Sequence, residues 1–182
     1  MPTQVCILDS GQCAAHWLRP IIRAGRFWHV FLRVFFEVTS ISDFLASDHH
    51  RCDNLFAAAE AAAAHGDWDK ATTEFSHFRD ALLHHFAMEE AIMFPAFEAR
   101  TGMTQGPTAM MRSEHRQMTD LLNQMADAVA SKDSDGFLGD ADTLLIIMQQ
   151  HNMKEEQMLY QMADQVLAGE QDEVVGRMRA MT

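Results

Sequence analysis

The chain has 182 residues, with 26 acidic against 14 basic side chains, ten histidines, three cysteines and 48% apolar residues. These values fit one medium domain with or without an appendage, and they exclude a disordered tail, a collagen-like chain and a low-complexity repeat. Cys6, Cys13 and Cys52 contain no CxxC pair, which excludes a disulfide framework and a thiolate zinc site, and the surplus of histidine directs attention to metals.

Residues 1–41 read as an N-terminal helical extension. They carry Arg19, Arg23, Arg26 and Arg33 against Asp9 and Glu37, a net of +2, whereas the remainder holds 24 acids and 10 bases, a net of −14. An acidic body with no clustered basic face excludes nucleic acid as a partner of the main domain. The aromatic stretch at residues 27–38 is interrupted by Arg33 and Glu37 and falls short of the roughly 18 apolar residues of a membrane span. It also lacks the charge order and cleavage site of a secretory signal, so the expected address is cytoplasmic, without stable membrane insertion. The extension is expected to pack on the domain or on a second copy of it, giving a homodimer through the N-terminal helix. An interfacial membrane helix and a segment with no role are the alternatives.

Residues 42–168 read as four helices, because Ala, Leu, Met, Glu and Gln dominate and only Pro95 and Pro107 interrupt them. Ser40 or Ser42 caps a first helix that ends near Ala64, before His65 and Gly66. Asp67 caps a second, ending between Pro95 and Arg100, ahead of Gly102. A third starts at Thr108 and stops in the polar run at 131–136, and a fourth runs from about Phe137 to Leu167. Residues 169–182 follow as a short helix or tail. Short connections make the four helices antiparallel neighbours, so the fold class is all-α, an up-down-up-down four-helix bundle with helices alternating short and long.

The bundle contains an internal repeat. His85, Glu89 and Glu90 on the second helix recur as His151, Glu155 and Glu156 on the fourth, 66 residues later, and Asp48-His49 on the first recurs as Glu114-His115 on the third at the same offset. The offset selects His49 over His50 and His85 over His84, and it implies a pseudo-twofold axis. Helical phase agrees. Leu45, His49, Cys52, Phe56 and Ala59 share one face; so do Phe78, Leu82, His85, Glu89 and Ile92 on the second helix. The same holds for Met111, His115, Met118, Leu122 and Met125, and for Leu144, Met148, His151, Glu155, Met158 and Met162.

Each inner face thus carries a histidine, and two carry a glutamate one turn later. An unpaired buried carboxylate is costly, and a metal removes that cost. Side chains at i and i+4 lie one above the other, so each His-x-x-x-Glu presents a nitrogen and an oxygen to the bundle axis. Four imidazoles and two carboxylates converge there: His49, His85, Glu89, His115, His151 and Glu155. Each glutamate can bridge two ions about 3.5–4 Å apart, leaving open positions on each. The nitrogen–oxygen set suits iron or manganese and leaves zinc open. Glu90 and Glu156 are expected on the solvated face, with support of the ligands as the alternative. The methionine row is expected in the core, with a ligand-pocket lining or oxidant sink as the alternative. Tyr160, which matches Phe94 in the repeat, is expected to pack between helices rather than serve a redox role. Glu74-x-x-His77 is a lone copy of a ferritin-like motif. His16, His29, His50, His65, His77 and His84 are expected at surface or packing positions.

The pattern of His49, His85-x-x-x-Glu89, His115 and His151-x-x-x-Glu155, with the text HFAMEEAIMFPAFE and HNMKEEQMLY, resembles the hemerythrin-like, or HHE cation-binding, domains over about residues 42–165. The resemblance implies a bundle with two iron ions, oxo- or hydroxo-bridged, that reacts with oxygen, nitric oxide or peroxide. Oxygen carriers of the family place a fifth histidine where this chain has Thr119 and end with HxxxxD, where this chain has Glu155 and Glu156. The four-His, two-Glu pattern is similar to the di-iron proteins linked to repair of iron–sulfur clusters under nitrosative stress, but Cys6 and Cys13 do not reproduce their cysteine-bearing N-terminal domain. Two functions remain open at this stage. One is a non-enzymatic di-iron protein that binds or senses a small diatomic ligand or peroxide, in stress response or iron handling. The other is an oxidoreductase that turns over peroxide or nitric oxide.

Overall fold

A computed structural model describes residues 40–181; the expected N-terminal helix and the dimer contact assigned to it lie outside the described residues. Helix α1 (Ile41–Ala64) is capped by Ser40, whose side chain accepts from the Asp43 N–H. Its first turn is also held by Asp164, which accepts from the Ile41 N–H at 2.9 Å and from the Ser42 hydroxyl. Such side-chain acceptors satisfy amides that a helix start leaves without partners. Helix α2 (Trp68–Met88) starts at the Asp67 cap and continues through a wide π turn (Glu89–Met93) into α3 (Phe94–Thr101), which stops at Gly102 with φ +74°. A left-handed residue at this point suits glycine, which has no Cβ to clash.

Helix α4 (Pro107–Ser131) follows, then α5 (Ser134–Lys154), a second π turn (Glu155–Leu159) and α6 (Tyr160–Val166). The fourth rod starts three residues earlier than the sequence suggests. Asp133 caps it by accepting from the Gly136 N–H, so the polar run forms its first turn. A Cβ on Gly136 would lie 2.5 Å from Asp133 Oδ2 and would push on the capping carboxylate.

α1 packs on α2 and α5, and α4 packs on the same two, which closes the four-helix bundle with two uninterrupted rods and two π-interrupted ones. The final helix, α7 (Gln171–Arg179), buries Val174, Val175 and Met178. Among the described residues the core has two apolar clusters. One contains Cys52, Phe56, Phe78, Leu82, Phe86, Met118 and Met148. The other contains Leu45, Met88, Phe94, Met111, Leu159, Tyr160 and the α7 residues. His49, His85, His115 and His151 fall between members of the two clusters along their own helices, so a polar layer crosses an otherwise apolar interior.

Helical phase fails in one place. Met158 is 42% exposed, and Leu159 and Tyr160 are buried instead. The π turn causes this: the Tyr160 N–H bonds to the Glu155 carbonyl, five residues back, and the extra residue rotates everything beyond it. Met111, Met118, Met125 and Met148 are core residues as expected.

Candidate metal centre

The repeat brings six side chains to one point in the bundle. His49, His85, His115 and His151 are at most 3% exposed, and Glu89 and Glu155 are fully buried. Glu89 Oε2 lies 3.5 Å from His85 Nε2 and 3.2 Å from His115 Nε2. Glu155 Oε2 lies 3.3 Å from His49 Nε2 and 3.2 Å from His151 Nε2. Each carboxylate therefore touches one histidine from each half of the repeat. Two groups of donors result: Glu89, His115, His151 and Glu155 in one, and His49, His85 and Glu155 in the other, with the ligand atoms of each group within 4.8 Å of one another. His50 and His77 are exposed, and His84 is half-buried; none joins either group.

The outer nitrogen of every imidazole faces a carboxylate. Asp48 lies 3.0 Å from His85 Nδ1 and Glu114 lies 2.9 Å from His151 Nδ1, each within its own half of the repeat. Glu156 reaches His49 Nδ1 at 2.8 Å, and Glu90 reaches His115 Nδ1 at 2.7 Å, each across to the other half. An acceptor at Nδ1 assigns the proton to that nitrogen and leaves the Nε2 lone pair aimed at the centre, the arrangement typical of metal-ligating histidine. Arg51 bonds Asp48 at 2.8 Å and Lys154 pairs with Glu114, which fixes the orienting carboxylates in turn.

These contacts correct the expectation for Glu90 and Glu156. Their side chains are 40% exposed, as a solvated face requires, yet each also accepts a hydrogen bond from a buried imidazole N–H. Asp48 and Glu114 marked the repeat in the sequence, but their role is visible only once α1 faces α2 and α4 faces α5. Tyr160 does more than pack between helices. Its hydroxyl lies 2.7 Å from Glu89 Oε1, 2.9 Å from Glu155 Oε2 and 3.1 Å from His49 Nε2. Phe94, its counterpart, stacks on His115 with ring centroids 5.9 Å apart, as Tyr160 does on His49 at 5.6 Å. Phe86 covers the other face of the layer, stacked on His115 at 4.0 Å.

The electrostatics are those of a site built for a cation. His85 Nε2, Glu89 Oε2 and Glu155 Oε1 are buried without a hydrogen-bond partner. Burial opposes charge on His151, but Glu155 and Glu89 outweigh it and raise the imidazole to about 9; His49 is raised too. Burial likewise opposes charge on Glu155, and His151 and His49 hold it well below the usual carboxylate range. Asp48 is lowered to about 2: burial pushes it up, and the bonds from His85 and Arg51 more than reverse this. Burial and the two carboxylates push the Tyr160 phenol well above its ordinary value. The carboxylates thus favour the protonated form of His49 and His151, and a bound cation would compete with those protons.

The fold and the site define a helical bundle with a histidine–carboxylate centre on its axis. The family model of the hemerythrin HHE cation-binding domain matches residues 40–163, and the chain belongs to that family. It is similar to an uncharacterized hemerythrin-like protein of Schizosaccharomyces pombe, 28% identical over 123 residues, a match that covers 67% of this chain and 58% of the yeast protein. The chain thus spans little more than half the length of this curated relative. No solved structure matches. Among the described residues, no helix is long and apolar enough to cross a membrane.

Proposed function

We propose that this chain is a non-heme di-iron protein that binds or senses oxygen, nitric oxide or peroxide. The observation that carries the reading is the buried layer in which four Nε2 atoms and two carboxylates face one another while three of their atoms have no partner. Unpaired buried groups of opposite chemistry are expensive unless an ion joins them. In this reading His49 and His85 hold one ion, His115 and His151 hold the other, and Glu89 and Glu155 are shared. Four neutral imidazoles with two carboxylates suit iron, with manganese or zinc as competitors. Bound iron supplies open coordination positions and one-electron chemistry, and the chain supplies the rest. Asp48, Glu90, Glu114 and Glu156 orient the imidazoles, and the apolar clusters on either side keep the layer buried.

Elemental analysis of protein purified without added metal tests the first part, with about two iron ions per chain expected. Fewer than about one ion, with unchanged stability after chelation, would sink the reading, because a structural metal site contributes to folding. Stopped-flow mixing of the reduced protein with oxygen, nitric oxide and peroxide tests the second. A stable adduct supports a binding or sensing role, and multiple turnovers assign the protein to the oxidoreductases instead.

A further inference from the structure

We infer that Tyr160 is itself a ligand to the ion held by His49 and His85, which makes the two metal positions chemically unequal; this rests on the di-iron reading. A phenol has one proton to donate. Tyr160 Oη has three close polar neighbours, Glu89 Oε1 at 2.7 Å, Glu155 Oε2 at 2.9 Å and His49 Nε2 at 3.1 Å. One hydrogen satisfies one of the two carboxylate contacts and leaves the other as phenol and carboxylate lone pairs facing one another. A cation at their common focus satisfies all three. The separations fit that role, since ligands on bonds of about 2.0–2.2 Å at right angles lie roughly 3 Å apart.

The position of the phenol is built into the fold. In a regular helix Tyr160 would stand about 140° around the axis from Glu155, at 100° per residue. The π turn between them returns the two side chains to the same side. The first half of the bundle has the same turn, but Phe94 follows it, and Phe94 carries no donor. Ligation exchanges the phenolic proton for the ion, and the proton leaves to water. Two carboxylates and a phenolate then bring −3 to the site. Phe94 offers no such atom beside His115, so an exogenous ligand would take the corresponding position at an ion held by His115 and His151.

Tyr160 is the chain's only tyrosine, so a phenolate signal from iron has one source. The full chain is stripped of metal, loaded with ferrous iron without oxygen, oxidised, and measured for iron content, visible absorption and resonance Raman. The ferric protein is expected to show a phenolate-to-iron charge-transfer band with phenolate vibrations. Tyr160→Phe is expected to abolish both and keep the iron, and Phe94→Tyr to strengthen them. Full iron content in the unaltered chain with no phenolate signal overturns the assignment and leaves the di-iron reading standing. Failure of the unaltered chain to take up iron overturns both. The decisive spectrum is that of the unaltered protein, so it does not depend on how a variant folds.

Discussion

The two halves of the bundle, α1 with α2–α3 and α4 with α5–α6, build matching parts of one site 66 residues apart. In each, an acid precedes the first histidine and holds the second: Asp48 on His85, Glu114 on His151. In each, a Glu–Glu doublet divides its work. The first member turns into the centre, and the second crosses to the other half's histidine, Glu90 to His115 and Glu156 to His49. Neither half can complete its own histidines. The halves differ where Phe94 stands opposite Tyr160, and that difference puts an oxygen beside His49 and a hydrocarbon ring beside His115. Matching thus assembles the centre, and the mismatch gives it two distinct ends.

The most severe test removes what the halves share. Glu155→Ala takes a ligand from both donor groups, so metal content is expected to fall below about one ion per chain, with a lowered melting temperature. His49→Ala and its counterpart His115→Ala should each lose metal to a similar extent, measured by elemental analysis. A chain that lost metal in one half only would show that the two positions fill independently.

Next come the orienting acids. Asp48→Asn and Glu114→Gln should each weaken metal affinity by about 10–100-fold, read by titration against a competing chelator, because such partners fix the ring and raise its basicity. The symmetric pair Glu90→Gln and Glu156→Gln should cost less, since those side chains are 40% exposed and water can replace them. An unequal result within either pair would break the equivalence of the halves outside the Phe94–Tyr160 position.

A third test uses pH. In the metal-free chain His151 is raised from 6.5 to about 9, so the folded state binds its proton more tightly than the unfolded chain does. The resulting stabilisation is complete below pH 6.5 and is lost as pH rises through about 9. Chelated protein should therefore lose melting temperature over that window, and the metal-loaded protein should not, because its ligating imidazoles carry no such proton. Loading at pH 7 should release protons, which calorimetry in buffers of different ionisation enthalpy detects.

The sequence carried the bundle and the six inner residues, because both rest on regular spacing: a 3.6-residue period for the buried faces and a 66-residue period for the repeat. It carried less of what surrounds them. Asp48 and Glu114 were visible as repeated letters, but which histidine each one reaches depends on helix pairing, which no local pattern encodes. Tyr160 was hidden for another reason. Counting at about 100° per residue assumes an unbroken α-helix, and the π turn at Glu155–Leu159 breaks that count between the glutamate and the tyrosine. The same error placed Met158 on the buried face, where it is 42% exposed. A doublet of glutamates next to a histidine one turn back, found twice, is the one signal in the sequence that accompanies both π turns.

The smallest expected effect checks the register of the comparison itself. His50 adjoins His49 but would pair with His115 at an offset of 65, and its side chain is exposed rather than directed into the polar layer. His50→Ala should therefore leave metal content unchanged and stability within about 0.5 kcal/mol, as for most surface substitutions. It lines a surface groove with Asp53, Glu60 and Glu156. Loss of metal in His50→Ala with retention in His49→Ala would mean that α1 is rotated by one residue from the position described. The contacts of His49 with Glu155, Glu156 and Tyr160 would all then be wrong together, since they share one helical phase.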